Sequence, residues 1–215
     1  LAGDALDASI MRSHVSKHFG ADVSYRVPLG SNVLRMPRAI VEQLCSPAHL
    51  SILRRPDIAD FLRDVRNGAL GEDDTDRLDA LRTLVDDALG FQLFESIERT
   101  KRELSSSANA MVSFDYPTIR VREPVTRGAF EESASTAFQA ILGALDDTLA
   151  RSGVAANDID LVCLTGGTAK VPKLAHSIRE RFTRADVREF KGFHSVVLGL
   201  SHHAQALARG EVPSA

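Results

Sequence analysis

Apolar residues recur at helical spacing from the start of the chain: Leu6, Ile10, Met11, Val15 and Phe19 share one face between Asp4 and Phe19, and Gly20 is placed to end that helix. Residues Asp22 to Leu29 read as a short extended piece, and a loop follows between Gly30 and Pro37. Prolines and glycines then cut the pattern into short helices, Arg38–Leu44, Ala48–Leu53 and Ile58–Arg66. An acidic start at Gly71–Asp76 opens a longer stripe through Leu78, Leu81, Val85, Leu89, Leu93, Phe94, Ile97 and Leu104. That stripe predicts a long helix or a broken pair, with the break at Gly90.

The period changes after Ser105–Ser107. Ala110–Phe114 and Thr118–Arg122 alternate around Asp115-Tyr-Pro117, which predicts a hairpin closed by Pro124. Thr126 is a candidate N-cap for a helix over 128–152, marked by Phe130, Ala134, Phe138, Ile141, Leu145 and Leu149 and ended by Gly153. Asp158–Thr165 is a continuous apolar run, predicted as a strand buried on both faces. Leu174, Ile178 and Phe182 mark another helix, Val187–Phe190 a short strand and Ser195–Ala208 a last helix, with an unstructured tail from Gly210 to Ala215. The fold class is therefore α-rich α/β: a helical lobe with a hairpin over residues 1–124 and a small α/β lobe over 125–215.

Composition narrows the function classes. Apolar content of 44% and charged content of 26% are those of an ordinary globular chain. The net charge of −3 leaves no basic footprint for nucleic acid. No apolar run reaches the roughly 20 residues that span a membrane, and the first residues lack a signal-peptide pattern. Cys45 and Cys163 form no disulfide or zinc spacing, and Cys163 in its apolar run reads as a small buried thiol. A cytoplasmic location follows. The opening Leu1-Ala-Gly-Asp lacks an initiator methionine, so a piece of a longer protein is expected.

Two stretches carry candidate chemistry. Glu98, Lys101, Arg102 and Ser105 fall on one face of a helix. A carboxylate and an ammonium can hold the hydroxyls of a ribose, a guanidinium can stack on a purine, and a hydroxyl can meet the base edge. The alternative is a solvated face whose ion pairs contribute about 0.3–0.5 kcal/mol each. The second stretch, Gly166-Gly-Thr168, follows a strand, and there backbone can approach a ligand because no Cβ intervenes; Lys170 opens the next helix. Its alternative is a plain strand-to-helix packing turn. His14 with His18 lacks a third metal ligand, the adjacent His202 and His203 point to different helix faces, and Asp73–Asp76 lacks the glycine and final glutamate of a calcium loop.

Glu98-Arg-Thr-Lys-Arg-Glu-Leu-Ser-Ser-Ser107, the hairpin, Thr126-Arg-Gly-Ala-Phe-Glu-Glu132 and Asp158-Ile-Asp-Leu-Val-Cys-Leu-Thr-Gly-Gly-Thr-Ala-Lys-Val-Pro-Lys173 occur in that order. Together they resemble the second half of the nucleotide-binding domain of 70-kDa heat-shock chaperones, in the actin-like ATPase superfamily. The opening Ala2-Gly-Asp-Ala-Leu-Asp7 resembles that family's first helix start, whereas residues 20–90 match no motif of it.

The resemblance implies ATP or ADP as ligand, with Glu98 and Lys101 on the ribose, Arg102 on adenine and Ser105 at the base. It places Gly166, Gly167 and Thr168 along the phosphate-to-ribose side and Lys170 on the other base face. It also implies an incomplete ribonuclease-H-like sheet, with the phosphate loops, the catalytic acids and the Mg2+ ligands outside this chain. The chain alone is then not catalytic, while the parent protein hydrolyses ATP. Expected partners are the missing half or a second copy, and protein clients or co-chaperones. Lys170 stands where the family usually has Arg, and Phe193 falls at the Asp of the last helix start, departures that look closest to YegD-like members. A sugar or acetate kinase of the superfamily, or an interaction module with a degenerate nucleotide site, are the alternative readings.

Overall fold

The computed structural model describes residues 2–27, 30–190 and 194–209. Its backbone divides into two compact units, Leu1–Ala137 and Phe138–Ala215. The predicted tail and Phe193 lie outside the described residues.

In the first unit, the opening stripe becomes α1 (Ala2–Ile10), a π-helical turn (Met11–Val15) and a 3-10 turn (Ser16–Phe19) rather than one uniform helix. The hydroxyls of Ser13 and Ser16 donate to carbonyls one turn back, at Ser9 and Arg12, and compete with the regular ladder. Leu6, Ile10, Met11, Val15 and Phe19 are all fully buried. The expected loop after Gly30 contains a strand: β1 (Ser24–Arg26) pairs antiparallel with β2 (Val33–Arg35). Gly68 closes over it, where a Cβ would sit 2.0 Å from the Arg26 carbonyl, so only glycine fits. Helix α2 (Arg38–Leu44), a 3-10 turn (Leu50–Arg54) and α3 (Pro56–Asn67) follow.

The long stripe breaks into α4 (Asp74–Asp86) and α5 (Gly90–Leu104), and its predicted apolar residues are buried. Arg54 donates to the carbonyls of Val85 (2.7 Å) and Asp86 (2.8 Å), closing the end of α4. The hairpin is longer than predicted. β3 (Asn109–Tyr116) pairs with β4 (Ile119–Thr126), and Pro124 lies inside β4 opposite Met111 instead of closing it. α5 packs on β3, where the Thr100 hydroxyl donates to the Met111 carbonyl at 3.1 Å. Thr126 caps α6 (Arg127–Ser133), accepting from the Ala129 N–H at 3.1 Å. The helix predicted over 128–152 is thus two, α6 and α7 (Ser135–Ser152), and Gly153 follows α7 with φ of +68°.

The second unit contains most of α7, then β5 (Leu161–Leu164), α8 (Pro172–Arg181), β6 (Asp186–Glu189) and α9 (His194–Ala208). β5 and β6 form a parallel pair, and β5 has no other strand partner among the described residues. Consequently β5 is not buried on both faces: only Leu164 is buried, while Leu161 and Cys163 are exposed, and the buried-thiol reading fits Cys45 rather than Cys163. Val197, Leu198, Leu200 and Leu207 leave much of α9 apolar and exposed. No helix among the described residues is long and apolar enough to cross a membrane.

One buried polar cluster contributes to how the first unit responds to acid. Ile119, Val121, Glu123 and Val125 alternate inward along β4, so Glu123 is buried among apolar neighbours. Lys17 Nζ reaches its Oε1 at 2.8 Å, and His18 Nε2 lies 2.9 Å from Oε2. Burial raises the Glu123 carboxyl, but these bonds outweigh it and the net shift is downward. His14 lies 3.9 Å from the same carboxylate and has a buried, unpartnered Nε2. Burial lowers its pKa from 6.5, more than Glu123 raises it.

A histidine held neutral when folded takes up its proton preferentially when unfolded, so stability falls as pH drops below 6.5 and levels off below the lowered folded value. The Glu123 contribution persists above its unfolded value near 4.5 and is lost as pH falls through the lowered folded value. Urea midpoints at pH 7.5, 6.0 and 5.0 are expected to decline for the wild type and to decline less for His14→Leu. Equal declines would show that His14 is not the responsible group.

Candidate nucleotide-contact segments

Each predicted segment lies within one unit. On α5, Glu98 and Arg102 are exposed, Lys101 is buried, and Ser105 is half-buried at the helix end. Their side chains share one face because α5 is unbroken from Gly90 to Leu104. Arg127 fixes where that face ends. Its Nε donates to the Leu104 carbonyl at 2.7 Å, and its backbone N–H donates to the Ala108 carbonyl at 2.8 Å. The Ser105 hydroxyl donates to the Lys101 carbonyl at 3.3 Å, so its oxygen can still accept.

Lys101 is not a loose surface cation. Its side chain is 8% exposed and pairs with Asp7 of α1, itself 13% exposed. The ammonium lies 2.8 Å from Oδ1 and donates to Oδ2 at 2.9 Å. Oδ1 is buried and accepts no well-directed hydrogen bond. Burial pushes the Asp7 carboxyl above its ordinary range, Lys101 pulls it back, and Glu98 and Asp4 push it up further; the net direction is upward. Glu98 is therefore near enough to be felt by Asp7. Spacing on α5 alone could not reveal this partner, which is 94 residues away in sequence. The available signal was an acid next to the buried Leu6 on the first helix.

In the second unit, Gly166 has φ of +84°, a conformation that favours glycine after β5. Gly167 is different. Its φ of −66° suits any residue, and a Cβ there would meet no atom within 4 Å. Neither backbone nor packing within the described residues requires a glycine at 167. Thr168–Lys170 form a 3-10 turn before Pro172 starts α8, so Lys170 precedes the helix it was expected to open; its side chain is exposed.

A cleft of about 250 Å3 between α3 and α4, floored by Leu53, Leu62, Leu78 and Val85, includes none of the predicted residues. A bidentate Arg66–Asp79 pair at 2.6 Å lies at its wall. Among the described residues, no group of three or more His, Cys, Asp or Glu is placed to hold a metal ion.

An α-rich α/β chain with a helix–hairpin unit and a strand ending in a glycine turn is consistent with part of an actin-like ATPase fold. The family model described as "Hsp70 protein" matches residues 80–212, and the chain belongs to the Hsp70 family. The match spans both candidate segments and leaves α1, with Asp7, outside it. The chain is 32% identical to Heat shock 70 kDa protein 17 of Arabidopsis thaliana over 122 residues, covering 55% of the chain and 14% of that protein. Membership of the Hsp70 family sets aside the sugar- or acetate-kinase reading.

Replacing Lys101 by Met leaves Asp7 buried without its cation, and we expect a loss of about 3 kcal/mol in unfolding free energy. The double variant Lys101→Met with Asp7→Leu is expected to recover most of that loss, as a double-mutant cycle measured by urea unfolding would show. Additive losses would mean that the pair is not coupled.

Proposed function

We propose that the chain is the adenosine-holding part of an ATP- or ADP-binding protein of the Hsp70 family. In this reading Glu98 accepts from a ribose hydroxyl and Lys101 donates to its neighbour. Arg102 stacks on adenine and Ser105 meets the base edge. Gly166, Gly167 and Thr168 lie along the phosphate-to-ribose side, and Lys170 lies on the other base face, where an ammonium stacks less well than a guanidinium. The observation that carries the reading is the α5 face itself: an exposed carboxylate one turn from a tethered ammonium, with a free guanidinium plane beside it. Gly167, which the fold does not require, supports it.

Phosphate chemistry and Mg2+ coordination belong, in this proposal, to residues outside this chain, so the chain binds nucleotide without hydrolysing it while the whole protein acts as an ATPase. A YegD-like protein is the finer assignment that Lys170 and Phe193 suggest, and a cytoplasmic location is the one that the absence of a disulfide framework suggests. The single ladder of β5 among the described residues and the exposed Val197, Leu198, Leu200 and Leu207 of α9 support docking against further sheet, from the rest of the domain or from a second copy. Protein clients or co-chaperones are the further partners that the family implies.

Isothermal titration of the protein with ADP tests the reading. Saturable binding is expected, weakened about tenfold or more by Arg102→Ala and by Glu98→Gln, since each removes one charged or stacking contact. No heat with ADP or ATP, or variants that bind as the wild type does, would overturn it and would favour an interaction module with a degenerate nucleotide site.

A further inference from the structure

Resting on the nucleotide reading above, we propose that Asp7 is a positioning residue for the ribose: it holds the Lys101 ammonium one turn from Glu98, so that the two together meet a pair of adjacent hydroxyls. A lysine carries a point charge on a flexible four-carbon stem and by itself does not select a geometry. Here the stem is buried and the ammonium sits at 2.8 and 2.9 Å from the two oxygens of Asp7. Lysine has three N–H donors, and one is directed to Oδ2. Donors remain for a ligand, from a fixed origin. Glu98, exposed and three residues earlier on the same helix, supplies the acceptor. Two neighbouring hydroxyls, one donating and one accepting, match that acceptor–donor pair.

Glu98 and Asp4 both act on the Asp7 carboxyl, so the acceptor on α5 lies close to the tethered ammonium. Asp7 lies on α1, outside the family-matched residues 80–212, and its assignment rests on its contacts with Lys101.

Ribose discrimination separates positioning from a structural tether. Affinities for ADP and for 2′,3′-dideoxy-ADP are measured by calorimetry for the wild type, Asp7→Asn and Asp7→Glu, with melting curves for each. The wild type is expected to prefer ADP by about tenfold or more, the worth of a hydrogen bond to a charged group. Asp7→Asn is expected to keep its dideoxy-ADP affinity while its preference for ADP falls to about threefold or less. Asp7→Glu, which retains the anion but displaces it by one methylene, is expected to be intermediate, and it carries the test if Asp7→Asn does not fold. A preference for ADP that is unchanged in the folded variants overturns the role of Asp7 and leaves the nucleotide reading standing. Equal binding of both nucleotides by the wild type removes the ribose contact and overturns the inference. Binding of neither nucleotide overturns the underlying reading as well.

Discussion

The ion pair between Asp7 and Lys101 is the constraint on which the candidate face of the first unit depends. It joins α1 to α5 across 94 residues of sequence, and both partners are mostly removed from water. A buried pair of this kind is weak evidence for stability, because desolvation opposes the attraction. It is better evidence for specificity of geometry. Once the ammonium is fixed, α1 cannot slide along α5 without stranding a charge. The apolar contacts of Leu6, Ile10 and Met11 reinforce the same placement without directional preference. Arg127 does a related job at the other end, where its guanidinium secures the Leu104 carbonyl and so fixes the last turn of α5.

The second unit has a different character. The parallel ladder between β5 and β6 is short, and Leu161 lies exposed on it. Parallel strands are ordinarily covered on both faces. Here Leu164, Val171, Leu174 and Phe182 are buried, and Val197, Leu198, Leu200 and Leu207 of α9 are exposed. The glycine turn after β5 therefore sits on a part of the chain with much unburied apolar surface, the kind of surface that binds other protein.

Much of the first unit was legible because its signals are periodic. The stripes of α1, α4 and α5 are core in the structure, residue for residue, and Thr126 caps α6 as its position suggested. What the pattern missed was local competition or distant contact. The first helix passes into π and 3-10 turns where Ser13 and Ser16 bond to carbonyls one turn back, a local feature that hydrophobic spacing does not carry. Pro124 was read as the end of a strand, yet β4 runs through it. β5 was read as buried on both faces because its composition is apolar, but composition reports what a strand could bury and not which neighbours are present. In the candidate segments, residue types and spacing picked out the α5 face and the Gly-Gly turn. The burial of Lys101 and its tie to Asp7 needed coordinates, because a helical wheel contains no information about a partner in another helix.

The central claim is that the α5 face and the glycine turn each contact an adenosine nucleotide. Hydrogen–deuterium exchange of the protein with and without saturating ADP tests it most directly. The account predicts slower exchange in peptides covering residues 98–105 and 166–170, with little change in the cleft-lining segments of α3 and α4. Unchanged exchange in both segments at a concentration where ADP is bound would contradict it.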